Sequence, residues 1–335
     1  MEYLKNIEKV IQETNQVWTP PPNLKISNWS DNYRRLSPES SAEAGAWKTD
    51  RAPYQREIMD SFNDPDIQRI VFMKSAQVGA TEILLNVIGY YIDQDPSPML
   101  IMQPTLQMAQ AFSKDRLATM IRDSEKIRDC VKDPRSRDSG NTVLSKKFAG
   151  GNLNIVGSNS ASGLASRPIR IVLADEVDRY EQSAGAEGDP ISLATKRTTT
   201  FWNKKIYMCS TPTIKGLSRI ETAFEESDKR YYHVPCPECN EKQVLKWKNV
   251  VWEDDKPETA TYACEHCGSV VDEAKKQWML KHGEWISSAP KSDTAGFHIS
   301  ELYSVWSTWA DMAKSFLEAK KNPEMLKTWI NTALG

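Results

Sequence analysis

Five short apolar runs punctuate the chain: RIVFM (69–73), PMLIM (98–102), NLNIV (152–156), IRIVLA (169–174) and KIYMCS (205–210). Between them, near 81–93, 105–122 and 190–197, apolar residues recur at helical spacing. The short runs predict buried strands and the periodic stretches predict helices. Strand alternating with helix predicts a mainly parallel sheet covered on both faces, an α/β core over residues 53–230. Ahead of it, residues 1–52 divide in two. Leu4, Ile7, Val10 and Ile11 mark one face of a short helix that stops at Thr19-Pro20-Pro21-Pro22, and residues 23–52 read as a polar, ordered arm. After the core, residues 231–285 predict a β-rich insert with little helix. Residues 286–335 predict a helical segment, clearest from Trp309 onward.

Composition narrows the class without naming a function. With 335 residues, 39% hydrophobic and 26% charged, the chain has material for a large core. No apolar run approaches the roughly 20 residues that span a bilayer, and the first residues are too polar for a signal peptide. The net charge of −2 gives no global pull toward nucleic acid, so any such surface must be local. One local candidate is TKRTTTFWNKK (195–205), where cations surround Phe201 and Trp202, although a solvated loop over packed aromatics explains it equally well.

The chemistry begins at MKSAQVGATE. An apolar strand, a polar loop and a helix have the layout of a phosphate-binding P-loop, yet the pattern G-x-x-x-x-G-K-[ST] is broken twice, by Lys74 at the first glycine and Ala80 at the lysine. Gly79 and Thr81 are in place. The loop Lys74, Ser75, Ala76, Gln77, Val78, Gly79, Ala80, Thr81 then offers the free N–H groups of a helix start, a lysine able to reach the β- and γ-phosphates from the loop's entry, and a hydroxyl for Mg2+. The alternative is a buried strand–turn–helix corner that uses Gly79 only for its backbone freedom.

Three further stretches fit the same chemistry. IRIVLADE ends an apolar strand on Asp175, suited to the Mg2+ shell, and Glu176, suited to polarising the attacking water. The intervening apolar run at 98–102 fits a RecA-like (ASCE) order. KIYMCSTPT ends a strand on Ser210 and Thr211, hydroxyls able to sense the γ-phosphate. RAPYQRE places Tyr54 to stack on adenine and Gln55 to bond its edge, unless Pro53 simply opens a helix.

Of six cysteines, four form two knuckles, Cys236-Pro-Glu-Cys239 and Cys264-Glu-His-Cys267, with 24 residues between them. This spacing predicts a structural Zn2+ held by four thiolates in a zinc ribbon, a staple for an insert with little core of its own, in a reducing compartment.

The order PYQ, KSAQVGAT, hydrophobic-ADE and STPT resembles the ATPase half of large terminase subunits of tailed phages, most of all the lambda type, whose loop lysine is also displaced to the start. The resemblance runs from about Trp29 to the end, taking in WSTWAD and WINTALG. It implies an ATP-hydrolysing motor that moves double-stranded DNA into a procapsid. Its implied partners are a small terminase subunit, a portal and copies of itself, in the host bacterial cytoplasm and away from membrane. Gln77 stands where the family often has an arginine, so the missing charge is expected from Arg167 of a neighbouring subunit, with Arg170 the weaker candidate. A carboxylate-rich nuclease half is not expected here, because the acids after the cysteines are scattered. Competing readings are a superfamily-2-like translocase or helicase, and a zinc-ribbon adaptor with an inactive loop.

Overall fold

The computed structural model describes residues 23–131, 140–165 and 167–335. The helix expected over Leu4–Ile11 and the proline stop lie outside the described residues. The strands are β1 (Arg35–Leu36), β2 (Gly45–Ala46), β3 (Arg69–Lys74), β4 (Pro98–Gln103), β5 (Ser145–Phe148), β6 (Gly151–Gly157), β7 (Ile171–Asp175), β8 (Lys205–Ser210), β9 (Arg230–Pro235), β10 (Lys242–Val244), β11 (Val250–Glu253), β12 (Lys256–Ala263), β13 (Val270–Val271), β14 (Glu284–Ser287) and β15 (Thr294–Ile299).

All five apolar runs enter one ten-stranded sheet, ordered β10-β9-β15-β3-β8-β7-β4-β6-β5, with β14 also on β9. From β9 to β6 every neighbouring pair is parallel. The marginal strands β5, β10 and β14 run antiparallel. Parallel strands are covered on both faces, which is why β7 reads Ile-Val-Leu-Ala without a polar alternate and buries all four.

The helix Ala80–Asp93, which follows β3, is buried on nearly every side. Its outer face is covered by the arm. Trp29 lies against Gly89 so closely that a Cβ there would come within 2.4 Å of the indole. Arg34 pairs with Glu82 at 2.9 Å, and Ser27 donates to Asp60 through its N–H and its hydroxyl.

The chain after residue 230 departs from the expected division. The boundary at 230/231 falls inside β9, which belongs to the main sheet together with β10 and β14. The segment 286–335, expected to be helical, carries β15, which lies between β9 and β3 and pairs in register from Thr294–Arg69 to Ile299–Lys74. Gly296 and His298 interrupt its apolar pattern and hide the strand. The glycine is forced by space, since a Cβ would meet the Ser227 hydroxyl at 1.8 Å. Helices Trp309–Ala319 and Pro323–Trp329 then follow as expected. They share a core with the insert, whose Trp247 packs on Phe316 and Trp329 at centroid distances of 5.2 and 4.8 Å.

Candidate active site

Because β8 lies between β3 and β7, three strands deliver their carboxyl ends to one place, the usual ligand position in such sheets. β3 ends on Lys74, β7 on Asp175 and Glu176, and β8 on Ser210 and Thr211. The strand that separates the loop from the acidic pair is thus β8, while β4 lies on the far side of β7.

The loop turns through two left-handed residues, Gln77 (φ 56°) and Gly79 (φ 77°), and the helix starts at Ala80 with Thr81 in its first turn. Glu176 is also left-handed (φ 54°). Such conformations at non-glycine residues are costly and gather at functional sites. The loop is held from outside by its own carbonyl and N–H groups. The Val78 carbonyl accepts from the Tyr54 hydroxyl at 3.2 Å and from Gln55 Nε2 at 2.9 Å. The Gln77 carbonyl accepts from the Ser304 hydroxyl at 2.9 Å. Ser75 N–H donates to the Ile299 carbonyl at 3.0 Å, and Ala76 N–H to the Thr332 carbonyl at 2.7 Å.

Lys74, buried at the strand end, brings its ammonium to 2.8 Å from Glu176 Oε1 and 3.4 Å from the Thr211 hydroxyl. Burial alone would lower its pKa, but Glu176, with Cys209 and Asp175 behind it, outweighs that and moves it upward. Both Asp175 oxygens are engaged: Gln103 Nε2 donates to Oδ2 at 3.0 Å and the Cys209 thiol donates to Oδ1 at 3.1 Å. Burial raises the Asp175 pKa against these two bonds, and burial likewise raises the Cys209 thiol. Glu176 Oε2 is buried without a hydrogen bond, with Arg179 Nε 3.7 Å away. The Ser210 hydroxyl accepts from the Asp178 N–H at 3.2 Å, tying the β8 end to the turn after β7.

The structure brings Lys74, Asp175, Glu176 and Thr211 together and leaves others apart. Tyr54 is fully enclosed, packed edge-on to Tyr232, and presents no face to a nucleotide; its role is to grip the loop. Arg167 is exposed, 3.4 Å from Asn154 on β6, four strands from β3. Arg170 is tied to Asp95 at 2.7 and 2.8 Å below the sheet. Trp202 is 81% exposed beside the amino end of β8, away from the loop. Sequence reasoning missed Gln103, Arg179, Ser304 and Trp306. Gln103 carried a usable signal, since it ends an apolar run just as Asp175 does.

A cavity of about 450 Å3 opens beside the loop, lined by Trp47, Gln55, Gly79, Glu82, Arg116 and Trp306 among others. Separately, the four cysteine sulfurs of the two knuckles all lie within 4.8 Å of one another. Glu238 N–H donates to Cys236 Sγ and His266 N–H to Cys264 Sγ, each at 3.4 Å. Among the described residues these cysteines are the one group of three or more His, Cys, Asp or Glu side chains arranged to hold a metal ion. Likewise, no described helix is long and apolar enough to cross a membrane.

Comparison with known proteins agrees with this geometry. The chain is 33% identical over 342 residues to the large terminase subunit of Enterobacteria phage P21, covering 94% of this chain and 53% of that one. It is 29% identical over 345 residues to that of Escherichia phage lambda, covering 95% and 53%. It therefore spans about half the length of these curated relatives. The crystal structure of the HK97 bacteriophage large terminase has the same fold, with a TM-score of 0.57 at 12% identity over 92% of this chain and 54% of that one. The family model of the gpA endonuclease domain matches residues 294–335, a stretch that here supplies β15 and the helices beside the loop. The model of the phage terminase large subunit gpA ATPase domain matches residues 41–285, most of the chain, and the protein belongs to that family.

Proposed function

We propose that this chain hydrolyses ATP and couples the cycle to movement of double-stranded DNA into a procapsid. The observation that carries the reading is the Lys74–Glu176 pair at 2.8 Å, which puts a phosphate-binding cation and a general base in each other's grip beside a helix start. With ATP in the loop, the γ-phosphate competes for Lys74 and frees Glu176 to take a proton from the attacking water. Mg2+ bound by Thr81, with Asp175 in its shell, would supply charge neutralisation on the β- and γ-phosphates. Gln103 and Cys209 hold Asp175 for that task. Thr211, 3.4 Å from the Lys74 ammonium, would be the hydroxyl that senses loss of the γ-phosphate, with Ser210 bracing it against the turn after β7, and Gln55 would offer its amide to the base. Arg167, exposed at the sheet margin, would serve a neighbouring subunit's site, so activity per chain would rise with protein concentration.

The cysteine box fits Zn2+ by its all-sulfur donor set, with no position left open for catalysis. By family resemblance the partners are DNA, a small terminase subunit, a portal and further copies of the chain, in the host cytoplasm. The test is DNA-stimulated ATP hydrolysis by the purified chain, with Glu176→Gln expected to bind ATP and not turn it over. A chain that binds no nucleotide would leave the adaptor reading standing.

A further inference from the structure

Trp306 is unlike the tryptophans around it. Trp47, Trp285 and Trp309 are at most 8% exposed, as packed indoles are, whereas Trp306 is 45% exposed at the mouth of the cavity beside the loop. Its position is nonetheless fixed. The buried Ser304 hydroxyl donates to the Gln77 carbonyl at 2.9 Å and accepts the Trp306 backbone N–H at 3.2 Å, so one side chain ties the backbone that carries the indole to the phosphate loop. The ring tip rests on Gly79, where a Cβ would lie 3.0 Å from it and 2.3 Å from Gln55 Nε2.

The cavity contains a second signal. Gln55 Nε2 donates to the Val78 carbonyl, which fixes the amide's orientation, since a carbonyl can only accept. Gln55 Oε1 is then left buried without a partner in a residue that is 1% exposed. An orphaned buried acceptor is costly unless a ligand donor meets it. A half-bare indole on a cavity of about 450 Å3 beside a phosphate loop, with an unmet amide acceptor within the wall, fits a purine base.

We propose that Trp306 is the base-stacking wall of the nucleotide site, its indole lying on the adenine of an ATP whose phosphates occupy Lys74–Thr81. Tyr54 cannot do this because it is enclosed. The inference rests on the ATP reading above and adds that the base site is completed by the segment after β15. A nucleotide therefore ties the arm, the loop and the C-terminal helices together.

The experiment compares wild type, Trp306→Ala and Trp306→Phe for binding of ADP and of pyrophosphate by calorimetry, with kcat and KM for ATP. Losing a stacking ring weakens a base by roughly ten-fold or more. Trp306→Ala is therefore expected to weaken ADP, and to raise KM for ATP, by about that factor. Its pyrophosphate affinity and kcat should stay close to wild type, and Trp306→Phe should recover most of the loss. Unchanged ADP binding in Trp306→Ala overturns the proposal. An equal loss of pyrophosphate binding also overturns it, since the indole would then only brace the loop. A wild-type chain that binds neither probe would bring down the ATP reading itself.

Discussion

Lys74 and Lys205 stand on neighbouring strands and are buried alike, at 6% and 4% exposure, yet one closes β3 at the carboxyl end of the sheet and the other opens β8 at the amino end. Their partners differ in kind. The Lys205 ammonium donates to the backbone carbonyls of Asp64 and Ile67, and burial pushes its pKa down to about 8. Lys74 faces the Glu176 carboxylate, which more than offsets the effect of burial. A carbonyl cannot leave its lysine without moving backbone. A side-chain carboxylate on a strained turn can, and a phosphate can take its place. The same contrast separates Arg170, locked on Asp95, from Arg179, 63% exposed beside Glu176. Burial alone does not separate these cations; the mobility of the partner does.

The largest expected effect tests that distinction. Lys74→Ala should lower ATP hydrolysis by roughly 100- to 1000-fold, the cost of removing one preorganised charge-stabilising donor, and should weaken ATP binding. Lys205→Met should keep hydrolysis and instead lower thermal stability. It leaves two carbonyls without their donor, on the order of 1–3 kcal/mol. Near-normal turnover in Lys74→Ala, or lost turnover in folded Lys205→Met, would break the comparison.

A second prediction concerns the cysteine box. Metal analysis should find one Zn2+ per chain, and Cys236→Ser should lose it and melt lower by on the order of 5–10 °C. Since Trp247 packs on Phe316 and Trp329, metal loss should reach the helices whose last turn holds Ala76. A metal-free protein with unchanged melting would remove zinc from the account.

These two sites were legible in the sequence for opposite reasons. The loop and the acidic pair were readable because each is local: a strand run ends on the residues that the sheet brings together, as MKSAQVGAT and VLADE do. The cysteine box was readable because sulfur pairs at knuckle spacing have few other uses. What stayed hidden depends on distant chain meeting at the loop. β15 was hidden by a glycine that Ser227 requires, and Ser304, Trp306 and Thr332 carry no motif. Tyr54 was misjudged because a sequence shows that an aromatic precedes a loop, not that Tyr232 and Val78 enclose it.

The smallest effect sharpens the comparison through pH. Lys205 has a folded pKa of about 8 against an ordinary value of 10.5. Below pH 8 both folded and unfolded chains hold the proton, and the folded chain carries the cost of a buried ammonium. Between about 8 and 10.5 the folded chain releases the proton while the unfolded chain keeps it, so stability should rise with pH in that window. The neutral amine still has two N–H groups, enough for the Asp64 and Ile67 carbonyls, so release of the proton need not break the staple. Other groups titrate over the same range, so the quantity to measure is the stability of wild type minus that of Lys205→Met, from urea midpoints at pH 7 and pH 9. It should grow in favour of wild type by on the order of 1 kcal/mol. A flat difference would mean that the two carbonyls compensate the buried charge fully. Lys205 would then resemble Lys74 in electrostatics, and only the immobility of its partners would separate the two lysines.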